Sequence, residues 1–181
     1  MGEDRPAKEP RKSLVIVNTG NGKGKTTAAL GVLFRAWGRG LHVCMLQFIK
    51  STTSNYGENR AAEKAGIEII SLGGGFTWLS KDIEKDKALA RELWETCQAK
   101  IGSGDYDIVA LDEFTYPLAY GWLPVSGVID FLKTRPKRTH VIITGRDAPQ
   151  ELIDYADLVT EMREIKHPFQ QGIKAQPGIE F

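Results

Sequence analysis

The stretch Thr19-Gly20-Asn21-Gly22-Lys23-Gly24-Lys25-Thr26-Thr27 carries the densest chemistry in the chain. Its Gly-Lys-Thr ending is that of a Walker A loop. Glycines let a backbone turn its N–H groups inward around phosphate oxygens, and a helix behind the loop adds the positive end of its dipole. Lys25 supplies a mobile cation, and the Thr26 hydroxyl is placed to reach Mg²⁺. The first position of the pattern is usually glycine and is Thr19 here. A glycine turn that only caps a helix is the plainer alternative. The surroundings argue against it, because a β-branched run precedes the loop and helical spacing follows it. Gly20, Asn21, Gly22, Lys23, Gly24, Lys25, Thr26 and Thr27 are therefore expected on a nucleoside triphosphate.

Ile108-Val109-Ala110-Leu111 is an apolar run that ends in Asp112-Glu113. An acid at a strand tip can hold Mg²⁺ directly or through water, as in a Walker B motif. Thr26 and Glu113 are expected to share the metal's shell, with Asp112 in support, and which acid binds directly stays open. In ATPases the second acid often activates water, so this motif alone leaves hydrolysis open. Arg146 follows another apolar run, Ile143-Thr144-Gly145, where a guanidinium can grip a phosphate with two bonds. Arg35 lies further along the helix after the loop, and a surface role and a ligand role are equally open for it.

These residues need elements to hold them. Ser13–Asn18, Val43–Ile49, Ile67–Leu72, Ile108–Leu111, His140–Thr144 and Leu158–Met162 read as strands. Helices are expected over Lys25–Trp37, Asn59–Ala65, Asp82–Ile101, Val125–Thr134 and Pro149–Tyr155. On the first helix, Ala28, Val32, Leu33, Ala36 and Trp37 form the predicted inner face. On the long helix, Ala90, Leu93, Trp94, Cys97 and Ile101 do. Continuous apolar strands alternating with helices predict an α/β fold, a mostly parallel six-stranded sheet with helices on both faces. Ligands of such sheets bind beyond the carboxyl ends of the strands, where the Walker residues fall.

Composition narrows the rest. The chain has 181 residues, enough for one domain, expected over 14–181 behind a flexible 1–13 segment. Lys+Arg is 24 and Asp+Glu 23, without the basic excess of a nonspecific nucleic-acid binder, so no nucleic-acid partner is expected. No apolar run is long enough to span a bilayer, and Met1–Ser13 lacks the apolar core of a secretory signal, so no membrane partner and a cytoplasmic location are expected. Cys44 and Cys97 sit in apolar segments and read as buried free thiols. His42, His140 and His167 show no metal-ligand spacing.

A P-loop alone does not choose a reaction, but the wider run of motifs does. Thr19–Gly31, Gln47-Phe-Ile-Lys50, Gly75-Phe-Thr-Trp78, Leu111–Tyr116, Ile143–Arg146 and the tail from His167 to Ile179 together resemble the P-loop ATP:corrinoid adenosyltransferases. The resemblance runs from about Leu14 to Phe181. It implies a P-loop NTPase fold of RecA-like type and transfer of the 5′-deoxyadenosyl group of ATP to the cobalt(I) of cobalamin or a precursor corrinoid. Triphosphate leaves, Mg²⁺ assists, and a reduced corrinoid is the second substrate. Lys25 and Glu113 are the implied catalytic groups. The resemblance also implies a flavoprotein or flavodoxin reductant and a homodimer. Composition alone would put Phe76 and Trp78 in a core. The resemblance instead implies that they bind the corrinoid, on its lower axial face. Tyr116, Tyr120 and Trp122 stay open between corrin lining and core, and residues 172–181 between a frayed tail and an ordered segment near the ligands. A P-loop ATPase or kinase, or a nucleotide-gated binding module, is the competing reading.

Overall fold

A computed structural model of the chain describes residues 12–51, 56–73 and 83–180. In chain order it has β1 (Val15–Thr19), α1 (Lys25–Trp37), β2 (Val43–Ser51), α2 (Gly57–Ala65), β3 (Glu68–Gly73), α3 (Ile83–Gly102) and β4 (Ile108–Asp112). There follow α4 (Thr115–Ala119), α5 (Val125–Thr134), β5 (His140–Thr144), α6 (Gln150–Tyr155) and β6 (Leu158–Glu161), then a 3₁₀ turn at Pro168–Gln171. The strands form one sheet in the order β3-β2-β4-β5-β1-β6. Every pairing is parallel. The expected α/β fold is therefore present, with β5 lying between the phosphate-loop strand β1 and the acid-tipped strand β4.

Alternation along the strands sorts the two faces. Val15, Val17, Cys44, Leu46, Val109, Leu111, Val141 and Ile143 pack with α3, α5 and α6. Met45, Ile108, Ala110 and Ile142 pack with α1. On α3 the expected stripe Ala90-Leu93-Trp94-Cys97-Ile101 is buried in full. Trp94 stacks on Phe114, with ring centroids 5.0 Å apart.

The inner face of α1 differs from expectation. Its buried residues are Lys25, Ala29, Leu33 and Ala36. Trp37 is 40% exposed and stacks on the exposed Phe34. The phosphate loop fixes the helix's rotation by turning Lys25 inward, and the residues four, eight and eleven places on, which come back to within about 80° of it around the axis, then face the sheet. Ala28 and Trp37 fall to the flanks.

Two residues ahead of β1 make contacts with later parts of the chain. Lys12 pairs with Asp157 at 2.5 Å, Ser13 is buried, and Arg135 Nη2 donates to the Ser13 carbonyl at 3.0 Å. Cys44 and Cys97 are free and buried.

Candidate active site

The turn out of β1 is shaped from behind. Gly22 N donates to the Met162 carbonyl at 2.6 Å. A Cβ on Gly20 would lie 2.5 Å from that carbonyl oxygen, and one on Gly22 would lie 2.7 Å from the Arg163 carbonyl oxygen. The segment after β6 therefore fills the space a side chain would need. Gly24, at φ 107°, makes the left-handed turn that starts α1. Lys25 is 7% exposed, and its Nζ donates to the Gly20 and Gly22 carbonyls, each at 2.7 Å. Burial lowers its pKa, opposed first by the charge of Glu113.

At the tip of β4, Asp112 and Glu113 part company. Asp112 continues the alternation of Ile108 and Ala110 and so faces α1. Its Oδ1 accepts from Thr26 Oγ1 at 2.8 Å and from Thr144 Oγ1 at 2.7 Å. Glu113 has φ 59°, and its N–H donates to Thr144 Oγ1 at 2.9 Å. That left-handed backbone costs about 1–3 kcal/mol and swings Glu113 off the strand toward the Lys25 charge. Thr26 Oγ1 is thus bonded to Asp112, the acid expected in support, while Glu113 stands on the cleft wall.

These elements surround a cleft of about 570 Å³. Asn21, Gly22, Lys23, Gly24, Lys25, Thr26, Thr27, Glu113 and Arg146 line it, while Gly20 sits in the loop behind them. Arg146 is set by a tight corner, because its carbonyl accepts from Thr115 Oγ1 at 2.5 Å. Gly145, at φ 141°, leaves no room there, since a Cβ would lie 2.0 Å from that hydroxyl oxygen. Arg35 is not brought to the cleft. It is exposed in the last turn of α1, about 15 Å along the helix from Lys25.

The residues left open in the sequence take these places. The short α4 carries Tyr116 to the cleft wall. Tyr116 and Tyr120 stack at 6.3 Å, and Tyr120 is 51% exposed. Trp122 packs partly against the core. The C-terminal segment also reaches the cleft: Gly178, Ile179 and Glu180 line it, and Glu180 lies 3.4 Å from Lys23 Nζ. Thr144 and Gln47 were visible only as polar members of the motifs that carry the resemblance. Phe76 and Trp78 lie outside the described residues.

Among the described residues no cluster of three or more His, Cys, Asp or Glu could cage a metal. One hydroxyl beside one or two acids still suits Mg²⁺, which keeps waters and takes substrate phosphates as its remaining ligands. Lys23, Lys25 and Arg146 beside loop N–H groups suit a triphosphate.

Comparison with known proteins agrees with this chemistry. The family model "ATP:corrinoid adenosyltransferase BtuR/CobO/CobP" matches residues 11–181. The chain is 43% identical over 173 residues to the corrinoid adenosyltransferase of Escherichia coli (strain K12), covering 96% of this chain and 88% of that protein. It is 45% identical over 178 residues to a Sinorhizobium corrinoid adenosyltransferase, covering 96% and 83%. Corrinoid adenosyltransferase CobA of Salmonella typhimurium is 43% identical over 173 residues, covering 96% and 88%. Among solved structures, the flagellar accessory protein FlaH from Methanocaldococcus jannaschii superposes with a TM-score of 0.58 at 16% identity. That match covers 84% of this chain and 71% of FlaH, a likeness of fold alone.

Proposed function

Since the chain belongs to the ATP:corrinoid adenosyltransferase family, we propose that the cleft over residues 20–27 holds ATP and offers its ribose to a reduced corrinoid. The enzyme transfers the 5′-deoxyadenosyl group of ATP to the cobalt(I) of cobalamin or a precursor corrinoid, in adenosylcobalamin biosynthesis or salvage. The cobalt(I) electron pair forms the bond to C5′. The C5′–O5′ bond breaks, and triphosphate carries its electron pair away. No proton moves, so no general base is required.

What the reaction demands of the protein is charge and position. Lys25 moves from its two loop carbonyls to the phosphate oxygens. Lys23 and Arg146 add cations at the cleft walls, and Gly20, Asn21, Gly22, Gly24 and Thr27 supply backbone donors. Thr26, Asp112 and Glu113 would hold Mg²⁺, which neutralises part of the triphosphate charge. Glu113 balances Lys25 while the phosphates are absent. Phe76 and Trp78 are assigned to the corrinoid's lower axial face, and residues 14–181 act as one domain. A flavoprotein or flavodoxin reductant, a homodimer and a cytoplasmic location complete the proposal. Among the described residues no helix is long and apolar enough to cross a membrane.

The observation that carries this reading is the convergence of Lys23, Lys25 and Arg146 on one cleft beside the acid-tipped strand. Incubation with ATP, Mg²⁺ and chemically reduced cobalamin tests it. The cobalt(I) spectrum should give way to that of a light-sensitive alkylcobalt species. A spectrum unchanged by the enzyme would overturn the proposal.

A further inference from the structure

A row of polar side chains crosses the sheet just beneath the cleft. Gln47 on β2 pairs in register with Ser71 on β3 and with Asp112 on β4. Thr144 on β5 follows at Asp112, and Asn18 on β1 pairs in register with Thr144. The hydrogen bonds run the same way. Asn59 Nδ2, in the first turn of α2, donates to Ser71 Oγ at 3.3 Å. Ser71 Oγ donates to Gln47 Oε1 at 3.2 Å, and Gln47 Nε2 reaches Asp112 Oδ2 at 3.5 Å, the longest link.

Gln47 is 0% exposed, on a strand whose other described buried side chains are all hydrophobic. A buried amide is retained only where both its ends are used. Here one end faces a strand-tip acid and the other leads to α2, whose first residues Gly57 and Glu58 line the cleft. The Asp112 carboxyl sits on a broad terminal torsion, so fixing one oxygen leaves the plane of the group free to swing. Thr26 and Thr144 both hold Oδ1. Gln47 Nε2 addresses the other oxygen, Oδ2.

We propose that Gln47 is a positioning residue: it orients the Asp112 carboxylate for Mg²⁺ and ties that orientation, through Ser71 and Asn59, to the start of α2 at the cleft edge. The inference rests on the reading of the cleft as a Mg²⁺–ATP site. Gln47→Met keeps the length and volume of the side chain and removes both polar ends. ATP binding to the full chain is measured by calorimetry with Mg²⁺ and again with EDTA, without corrinoid.

Wild type should bind ATP more tightly with Mg²⁺. In Gln47→Met that strengthening should fall by about tenfold, the scale of lost outer-shell support at a metal site, while affinity in EDTA stays near wild type. Turnover should recover as Mg²⁺ is raised. Should Gln47→Met fail to fold, Ser71→Ala, which removes the donor to Gln47 Oε1, should show the same loss in part. An undiminished Mg²⁺ effect in a folded variant overturns the inference, and so does an equal loss with and without the metal. A wild type that binds ATP equally well in EDTA overturns the metal reading itself, and the inference with it.

Discussion

The Lys25 ammonium is held by two carbonyls of its own loop. On the proposed function that loop cradles the triphosphate, and Lys25 is its central cation. Removing it takes away a donor fixed in place, an effect of roughly 3 kcal/mol on the transition state. Lys25→Ala should lower kcat/KM accordingly. A change within about threefold of wild type, below roughly 1 kcal/mol, would remove Lys25 from the reaction. The phosphate loop was readable from residue types and order alone, because glycine, lysine and threonine are needed at fixed spacing. The division of labour between the acids was not. It depends on which way a strand tip points and on the left-handed backbone at Glu113, and neither is written in the motif Asp-Glu. Arg35 carries the right charge on the right helix, but about 15 Å of helix separates it from Lys25.

At the scale of elements, strand and helix positions followed from apolar periodicity to within a residue or two. The element that escaped was α4, a five-residue helix with Pro117 inside it and no periodic pattern to detect. The C-terminal approach to the cleft was foreseen only as one of two alternatives, since nothing local distinguishes a docked tail from a frayed one. The start of β1 is pinned to β5 by His140, whose Nδ1 accepts from Leu14 N at 3.0 Å. Burial, with Arg135 nearby, holds this imidazole below its usual value of 6.5. The unfolded chain then takes up the proton more readily, so this contribution to stability is present above that value and is lost as pH falls below it. Wild-type Tm should drop between neutral pH and about pH 5 more than that of His140→Asn, which keeps an acceptor and does not titrate. Equal drops would contradict the assignment. The segment after β3 carries a second test. Truncation of a core aromatic costs about 3–5 kcal/mol, so Phe76→Ala and Trp78→Ala should unfold the chain if those rings are core. On the corrinoid assignment both variants keep their Tm and ATP affinity. They slow reaction with cob(II)alamin reduced on the protein far more than with preformed cob(I)alamin, because displacing the lower ligand eases reduction rather than attack on ribose.

Over the whole molecule, the sheet order places the phosphate-loop strand and the acid-tipped strand on either side of β5. Their carboxyl ends, with Arg146 after β5, then form one cleft. The same architecture serves enzymes that cleave ATP at phosphorus, and Glu113 beside Lys25 is where a water-activating acid would stand. In the proposed adenosyl transfer the break falls at C5′–O5′. The fate of the phosphates is therefore its most direct test, followed by phosphorus NMR with and without reduced corrinoid. Intact triphosphate should appear in step with the adenosylated corrinoid and only when the reduced corrinoid is present. Orthophosphate released at the main turnover rate without corrinoid would contradict it.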